Sequence, residues 1–147
     1  GGFADGRGLA AARVMGASGV QIGTRFLVAS ECPVHANVKQ KLIEAIDTDT
    51  IVTGGTIGAA VRGIKNKFSE EFVAMEHAKG VSRDELLARA TWTNKLGAVE
   101  GDVENGMVQA GQSLMPLRKV EPVADIIAAI MQEARDSLAA AATIEIR

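Results

Sequence analysis

Gly1-Gly2-Phe3-Ala4-Asp5-Gly6 and Gly16-Ala17-Ser18-Gly19-Val20-Gln21-Ile22-Gly23-Thr24 are two glycine turns spaced about one helix apart. Each can set bare backbone N–H groups beside an anion, and each leads into a helix. Arg7 to Met15 is long enough for a short helix between them, and Val20-Gln21-Ile22 reads as a short buried strand that Gly23 ends. The unit is turn, helix, strand, turn. In a parallel α/β sheet such turns emerge together at the carboxyl ends of the strands, so both glycine sites can converge on one phosphate, that of a nucleotide or flavin.

The 147 residues are 47% hydrophobic with a mean hydropathy of +0.12, enough apolar material for a core. The chain opens at Gly-Gly, a dipeptide that ordinarily follows a strand, so it is expected to be the C-terminal part of a longer protein. A net charge of −2 and the absence of Tyr argue against nucleic-acid binding, which needs basic excess and stacking aromatics. Cys32 is the only cysteine; it excludes an internal disulfide and a cysteine-rich zinc site, and it fits a reduced, cytoplasmic setting. No apolar run approaches the length of a membrane span.

Further along, Thr24 is the expected N-cap of a short helix over Arg25 to Ala29, and Glu31-Cys32-Pro33 breaks it. Val34, Val38, Leu42 and Ile46 form one stripe, which predicts a helix from about Val34 to Ile46. The stretch from Asp47 to Asn66, rich in Thr, Asp and Gly, reads as irregular with one or two short extended pieces. Phe68, Phe72 and Met75 mark a helix ending near Gly80. Ser82-Arg83-Asp84-Glu85 has capping-box spacing and starts another, extending toward Leu96. After the Glu104-Asn105-Gly106 turn, Met107 to Ser113 has no helical stripe. Pro122 is expected at the first position of a final helix whose apolar face is Val123, Ile126, Ile127, Ile130, Met131, Ala134 and Leu138.

Gln21 is a polar side chain inside an apolar strand; it either bonds neighbouring backbone or meets a ligand's polar edge, and the ligand is favoured. Asp5 is the candidate cap of the first helix, and Arg7 reads as a solvated charge. His35 and His77 have no ligand-spaced neighbours and read as structural or surface groups. Asp47, Asp49, Glu100, Asp102 and Glu104 lack the spacing of a calcium loop and read as solvated. Cys32 and Ser113 sit in no nucleophile motif. No metal site and no proton-transfer or covalent centre is expected within these residues.

On these residues the chain resembles the C-terminal part of the flavin-dependent enoyl-acyl-carrier-protein reductases of the FabK kind, in the wider nitronate monooxygenase-like family. The likeness runs nearly end to end. It is carried by Gly1-Gly2-Phe3-Ala4-Asp5-Gly6-Arg7-Gly8, Val20-Gln21-Ile22-Gly23-Thr24-Arg25-Phe26 and Glu31-Cys32. Val61-Arg62-Gly63-Ile64-Lys65-Asn66, Gly101-Asp102-Val103 and Ala110-Gly111-Gln112 are similar to later landmarks of the group. Inosine monophosphate dehydrogenases share the first two motifs; the later ones favour the reductases and monooxygenases.

The resemblance implies an α/β fold, the C-terminal part of an FMN-binding TIM (β/α)8 barrel with an inserted, mostly helical region. Residues 1–46 would carry barrel units with phosphate-binding turns, 47–100 the insertion, and 101–147 an active-site loop and the closing helix. Gly1, Gly2, Gln21, Gly23 and Thr24 would bind cofactor, and Gly111 and Gln112 would lie at the flavin or substrate edge. A barrel of this kind needs roughly 250 residues. The family's catalytic histidine belongs to a motif expected upstream, so no role passes to His35 or His77. The implied activity is FMN-dependent reduction of trans-2-enoyl-acyl-carrier-protein thioesters by NADH or NADPH in fatty-acid elongation, in a homodimer. Nitronate oxidation, or a non-catalytic flavin- or phosphate-binding fragment, is the alternative.

Overall fold

A computed structural model describes residues 1–145. The chain order is α1 (Gly6–Val14), α2 (Thr24–Leu27), α3 (Ala36–Glu44), β1 (Thr50–Thr53), β2 (Val61–Ile64), α4 (Lys67–His77), α5 (Arg83–Ala90), α6 (Thr93–Ala98) and α7 (Val123–Ala141). β1 and β2 are an antiparallel hairpin with Thr50 opposite Ile64 and Thr53 opposite Val61. An isolated bridge from Gly63 to Gln109 lays the later loop along this hairpin.

Several expectations shift at the element ends. Val20 to Ile22 forms no strand and pairs with none among the described residues. A lone segment cannot satisfy its own ladder of N–H and C=O groups, so the strand exists only beside neighbours. The α3 helix is shorter than the Val34–Ile46 stripe because His35 takes the N-cap, its Nδ1 accepting from the Asn37 N–H at 3.1 Å. The α2 helix ends at Leu27 and its N-cap is Gly23, not Thr24. The helix begun by the Ser82 capping box stops at Ala90, short of Leu96, and Trp92 follows in the left-handed region at φ 65°. Pro122 is the N-cap of α7 and not its first helical residue. Having no side-chain acceptor of its own, that end is served by Glu31, whose carboxylate oxygens accept from the Val123 N–H at 3.0 Å.

The packing follows from the stripes. Val38 and Leu42 of α3 meet Val28, Ile64, Val108, Leu114 and Leu117 in the main core. Burying a leucine completely stabilises by about 1.5–3 kcal/mol, so Leu42, Leu114 and Leu117, each 0% exposed, dominate it. Ile126 and Ile130 of α7 pack with Leu9, Ile22 and Phe26, while Phe68, Phe72 and Leu86 form a third cluster between α4 and α5. Ile127, Met131 and Leu138, placed on the apolar face by their spacing, remain 40–48% exposed. Among the described residues no helix is long and apolar enough to cross a membrane.

Candidate functional site

The first glycine turn opens α1, but the amides of that helix already have acceptors. Asp5 Oδ1 accepts from the Gly8 N–H at 2.9 Å, and Glu133 Oε2 on α7 accepts from the Gly6 N–H at 2.7 Å. Two carboxylates therefore occupy the positive end of α1. Burial pushes the Asp5 carboxyl upward, but the Gly8 N–H and the Arg7 guanidinium outweigh it and hold Asp5 below its ordinary value. Arg7 pairs with Asp5 at 2.8 Å and with Glu133 at 3.4 Å, so the residue read as a solvated charge ties the turn to α7.

The second turn is different. The start of α2 carries no side-chain cap. A Cβ built on Gly1, Gly2 or Gly23 would meet nothing within 4 Å, so the main chain there faces open space. Thr24 Oγ1 accepts from the Gly111 N–H at 2.8 Å. That bond uses an oxygen lone pair and leaves the hydroxyl proton free to donate. An uncapped helix start, bare glycine backbone and a free hydroxyl proton suit a phosphate group.

Gly2 lies elsewhere, on a cleft of about 450 Å³ that also takes in Phe3, Asp5, Arg7, Asp47, Gln112, Ser113, Met115 and Pro116. The structure thus brings Gly2 together with Gln112, and Thr24 together with Gly111. The adjacent pair Gly111-Gln112 is the piece that touches both turns. Gln21, Gly23 and Thr24 are not on the cleft, and Gln21 is exposed with no side-chain hydrogen bond among the described residues. Asp5 and Asp47 outnumber Arg7 on the cleft, which disfavours a dianion there and suits a neutral polar edge.

Sequence reasoning missed Asp47. Its Oδ1 accepts from the Leu114 N–H at 3.0 Å and the Met115 N–H at 2.9 Å, so it is not a merely solvated acid. The other acids of that group also have structural partners. Asp49 closes a turn on the Ile46 N–H, Asp102 gathers the Glu104 and Asn105 N–H groups, Glu104 pairs with Lys41, and Glu100 with Lys95. His35 packs against Gly101, and no role beyond its cap is assigned to it.

Arg25, next to Thr24, is buried and pairs with Glu121 at 2.6 Å. Arg25 and then Lys119 hold the Glu121 carboxyl below its usual value. A folded-state value below the unfolded one means that this stabilisation is complete above about pH 4.5 and is lost as the pH falls through the folded value. Wild-type protein is therefore expected to lose more thermal stability between pH 7 and pH 3 than Glu121→Gln does. Superimposable acid limbs in the two proteins would contradict the linkage.

The fold and the site define an α/β protein carrying part of a TIM barrel, with an open main-chain turn beside an acid-lined cleft. The nitronate monooxygenase family model matches residues 1–133, and the chain belongs to that family. A probable nitronate monooxygenase of Staphylococcus haemolyticus is 47% identical over 70 residues, which span 48% of this chain and 20% of that protein. FabK from Thermotoga maritima superposes with a TM-score of 0.89 at 33% identity, over 97% of this chain and 45% of that one. A nitroalkane oxidase from Streptomyces ansochromogenes superposes at 0.75 with 25% identity, over 96% of this chain and 40% of that one. The chain spans less than half the length of each.

Proposed function

We propose that this chain is the cofactor-holding part of a flavin-dependent oxidoreductase that reduces trans-2-enoyl-acyl-carrier-protein thioesters with NADH or NADPH. The observation that carries this reading is the Thr24 to Gly111 bond, which joins an open phosphate-type turn to the loop bearing Gln112. The 33% identity to FabK across 97% of the chain supports the choice of substrate class. The chemistry FMN supplies when bound is hydride transfer between reduced nicotinamide and the β-carbon of the enoyl group. The main chain at Gly23 and the Thr24 hydroxyl hold the phosphate, with Gln21 beside that turn, while Gly1-Gly2, Gly111 and Gln112 border the ring or substrate edge at the cleft. Residues 47–100 are assigned to the inserted region. A cytoplasmic homodimer that receives acyl carrier protein completes the reading.

A second reading, oxidation of alkyl nitronates by dioxygen on the same flavin, is favoured by the names of the curated relatives. Purified protein assayed with crotonyl thioester plus NADH or NADPH, and separately with an alkyl nitronate plus dioxygen, separates the two. A protein that retains flavin and turns over neither substrate would leave only a binding role. Gly23→Val is expected to weaken FMN binding at least about tenfold. Its effect on folding is expected to be small, because φ is −109° and a Cβ there meets nothing. Unchanged flavin content in this variant would overturn the phosphate assignment.

A further inference from the structure

The loop from Gly111 to Met115 is fastened at both ends by side chains from distant parts of the chain. Thr24 Oγ1 accepts from the Gly111 N–H at one end. At the other, Asp47 Oδ1 accepts from two successive N–H groups, Leu114 at 3.0 Å and Met115 at 2.9 Å, across 67 and 68 residues. Leu114, beside these amides, is completely buried in the main core, so the second fastening sits on a rigid base. Between the two ends lie Gln112 and Ser113, both on the cleft and both without side-chain hydrogen bonds among the described residues.

Asp47 is itself held in place. Asp49 Oδ2 accepts from the Ile46 N–H at 2.9 Å, the Asp49 N–H donates back to the Ile46 carbonyl at 2.9 Å, and the Lys65 N–H donates to the Asp49 carbonyl at 2.8 Å. The turn between α3 and β1 is thereby closed on both sides of Asp47. A charged acceptor shared by two amides is stronger than a neutral one.

We propose that Asp47 is a positioning residue: through the Leu114 and Met115 amides it fixes the Gly111–Met115 loop so that Gln112 and Ser113 face the flavin or substrate edge. The role rests on the flavin reading above, but the fastening itself does not. It acts on placement, not on proton transfer, since the Asp47 side chain hydrogen-bonds only main-chain N–H groups among the described residues. Asparagine keeps an oxygen at the same reach and can accept the same two bonds. Alanine cannot.

The test compares wild type, Asp47→Ala and Asp47→Asn by amide hydrogen exchange and by FMN titration followed by flavin fluorescence. In Asp47→Ala the Met115 amide, whose acceptor is Asp47 alone among the described residues, is expected to exchange at least about tenfold faster, while the Leu114 N–H keeps its 2.9 Å bond to the Gln112 carbonyl; FMN is expected to bind about tenfold more weakly and the bound flavin spectrum to shift. Asp47→Asn is expected to restore all three toward wild type. If exchange at Met115 is the same in Asp47→Ala as in wild type, the fastening does not exist. If exchange accelerates while FMN affinity and spectrum stay unchanged, the loop is not part of the site and the positioning role is overturned. Wild-type protein that binds no FMN yet protects the Met115 amide overturns the flavin reading and the positioning role with it, while the fastening stands. Should Asp47→Ala fail to fold, Asp47→Leu measured beside Asp47→Asn gives the same contrast in Met115 exchange with the branched side-chain shape kept.

Discussion

Gly6→Val is expected to destabilise the protein by about 3 kcal/mol, read from urea unfolding. A Cβ on Gly6 would lie 2.4 Å from the Ala134 nitrogen and 2.4 Å from the Ile130 oxygen, both backbone atoms of α7. Backbone inside a helix cannot step aside, so the two helices must separate. Separation also costs the Gly6 N–H to Glu133 bond and exposes Ala10 and Ala134, now 6% exposed each. The contrasting control is Gly8→Ala, whose Cβ would meet first the edge of the Phe3 ring at 2.8 Å. A ring can turn where a helix cannot, and the expected loss is under about 1 kcal/mol. Because Gly2, Phe3, Asp5, Arg7 and Gly8 all line the cleft, loosening α1 from α7 should also weaken ligand binding. A Gly6→Val protein as stable as wild type would mean that α1 and α7 do not pack as described.

What the sequence made legible was local or periodic. The Ser82 capping box stands as read, with the Ser82 side chain bonded to the Glu85 N–H and the Glu85 side chain to the Ser82 N–H, because three residues of spacing suffice to define it. Asp5 caps α1 for the same reason. The stripes of α3 and α7 identified Val38, Leu42, Ile126 and Ile130 as buried, and the glycine turns pointed to a barrel. The failures share a cause: the partner was distant or lay on another element. Asp47 looked solvated since nothing near it needs an acceptor, and the amides it serves are 67 and 68 residues away. Thr24 looked like a cap, yet its oxygen is engaged by Gly111, 87 residues on. Val20 to Ile22 reads as a strand from composition, but strand is a property of pairs, and the pairing is not supplied by these residues. Ile127, Met131 and Leu138 have helical spacing on a face that α1 does not cover; periodicity reports amphipathicity and says nothing of what lies opposite.

The Gly111–Met115 loop depends in turn on a buried amide. Asn66 is 5% exposed and satisfies four groups at once. Its Oδ1 accepts from the Ser69 N–H at 2.9 Å, its N–H donates to Ser69 Oγ at 2.8 Å, and its Nδ2 donates to the Val103 carbonyl at 2.7 Å and the Gly106 carbonyl at 2.8 Å. The chain leaving Gly106 then runs past Gly63, where a Cβ would stand 2.7 Å from the Val108 oxygen, and on to Gly111. Asn66→Ala is expected to cost about 3 kcal/mol: roughly 1 for the lost cap and about 1 for each carbonyl left without a donor. Asn66→Asp separates these contributions. It keeps the acceptor for Ser69 but points a carboxylate at two carbonyl oxygens, so at pH 7 it should be no more stable than Asn66→Ala. Repulsion raises the carboxyl's pKa in the folded state, and the protonated acid regains one donor. Its stability relative to Asn66→Ala should therefore rise as the pH falls from 7 toward 4, opposite in sign to the Glu121 contribution. Thermal unfolding of both variants at the two pH values checks the sign. An Asn66→Ala cost below about 1 kcal/mol would mean that the two carbonyls find other donors, and that the main-chain bonds around Gly63 and Gln109, not the Asn66 amide, join the hairpin to the loop.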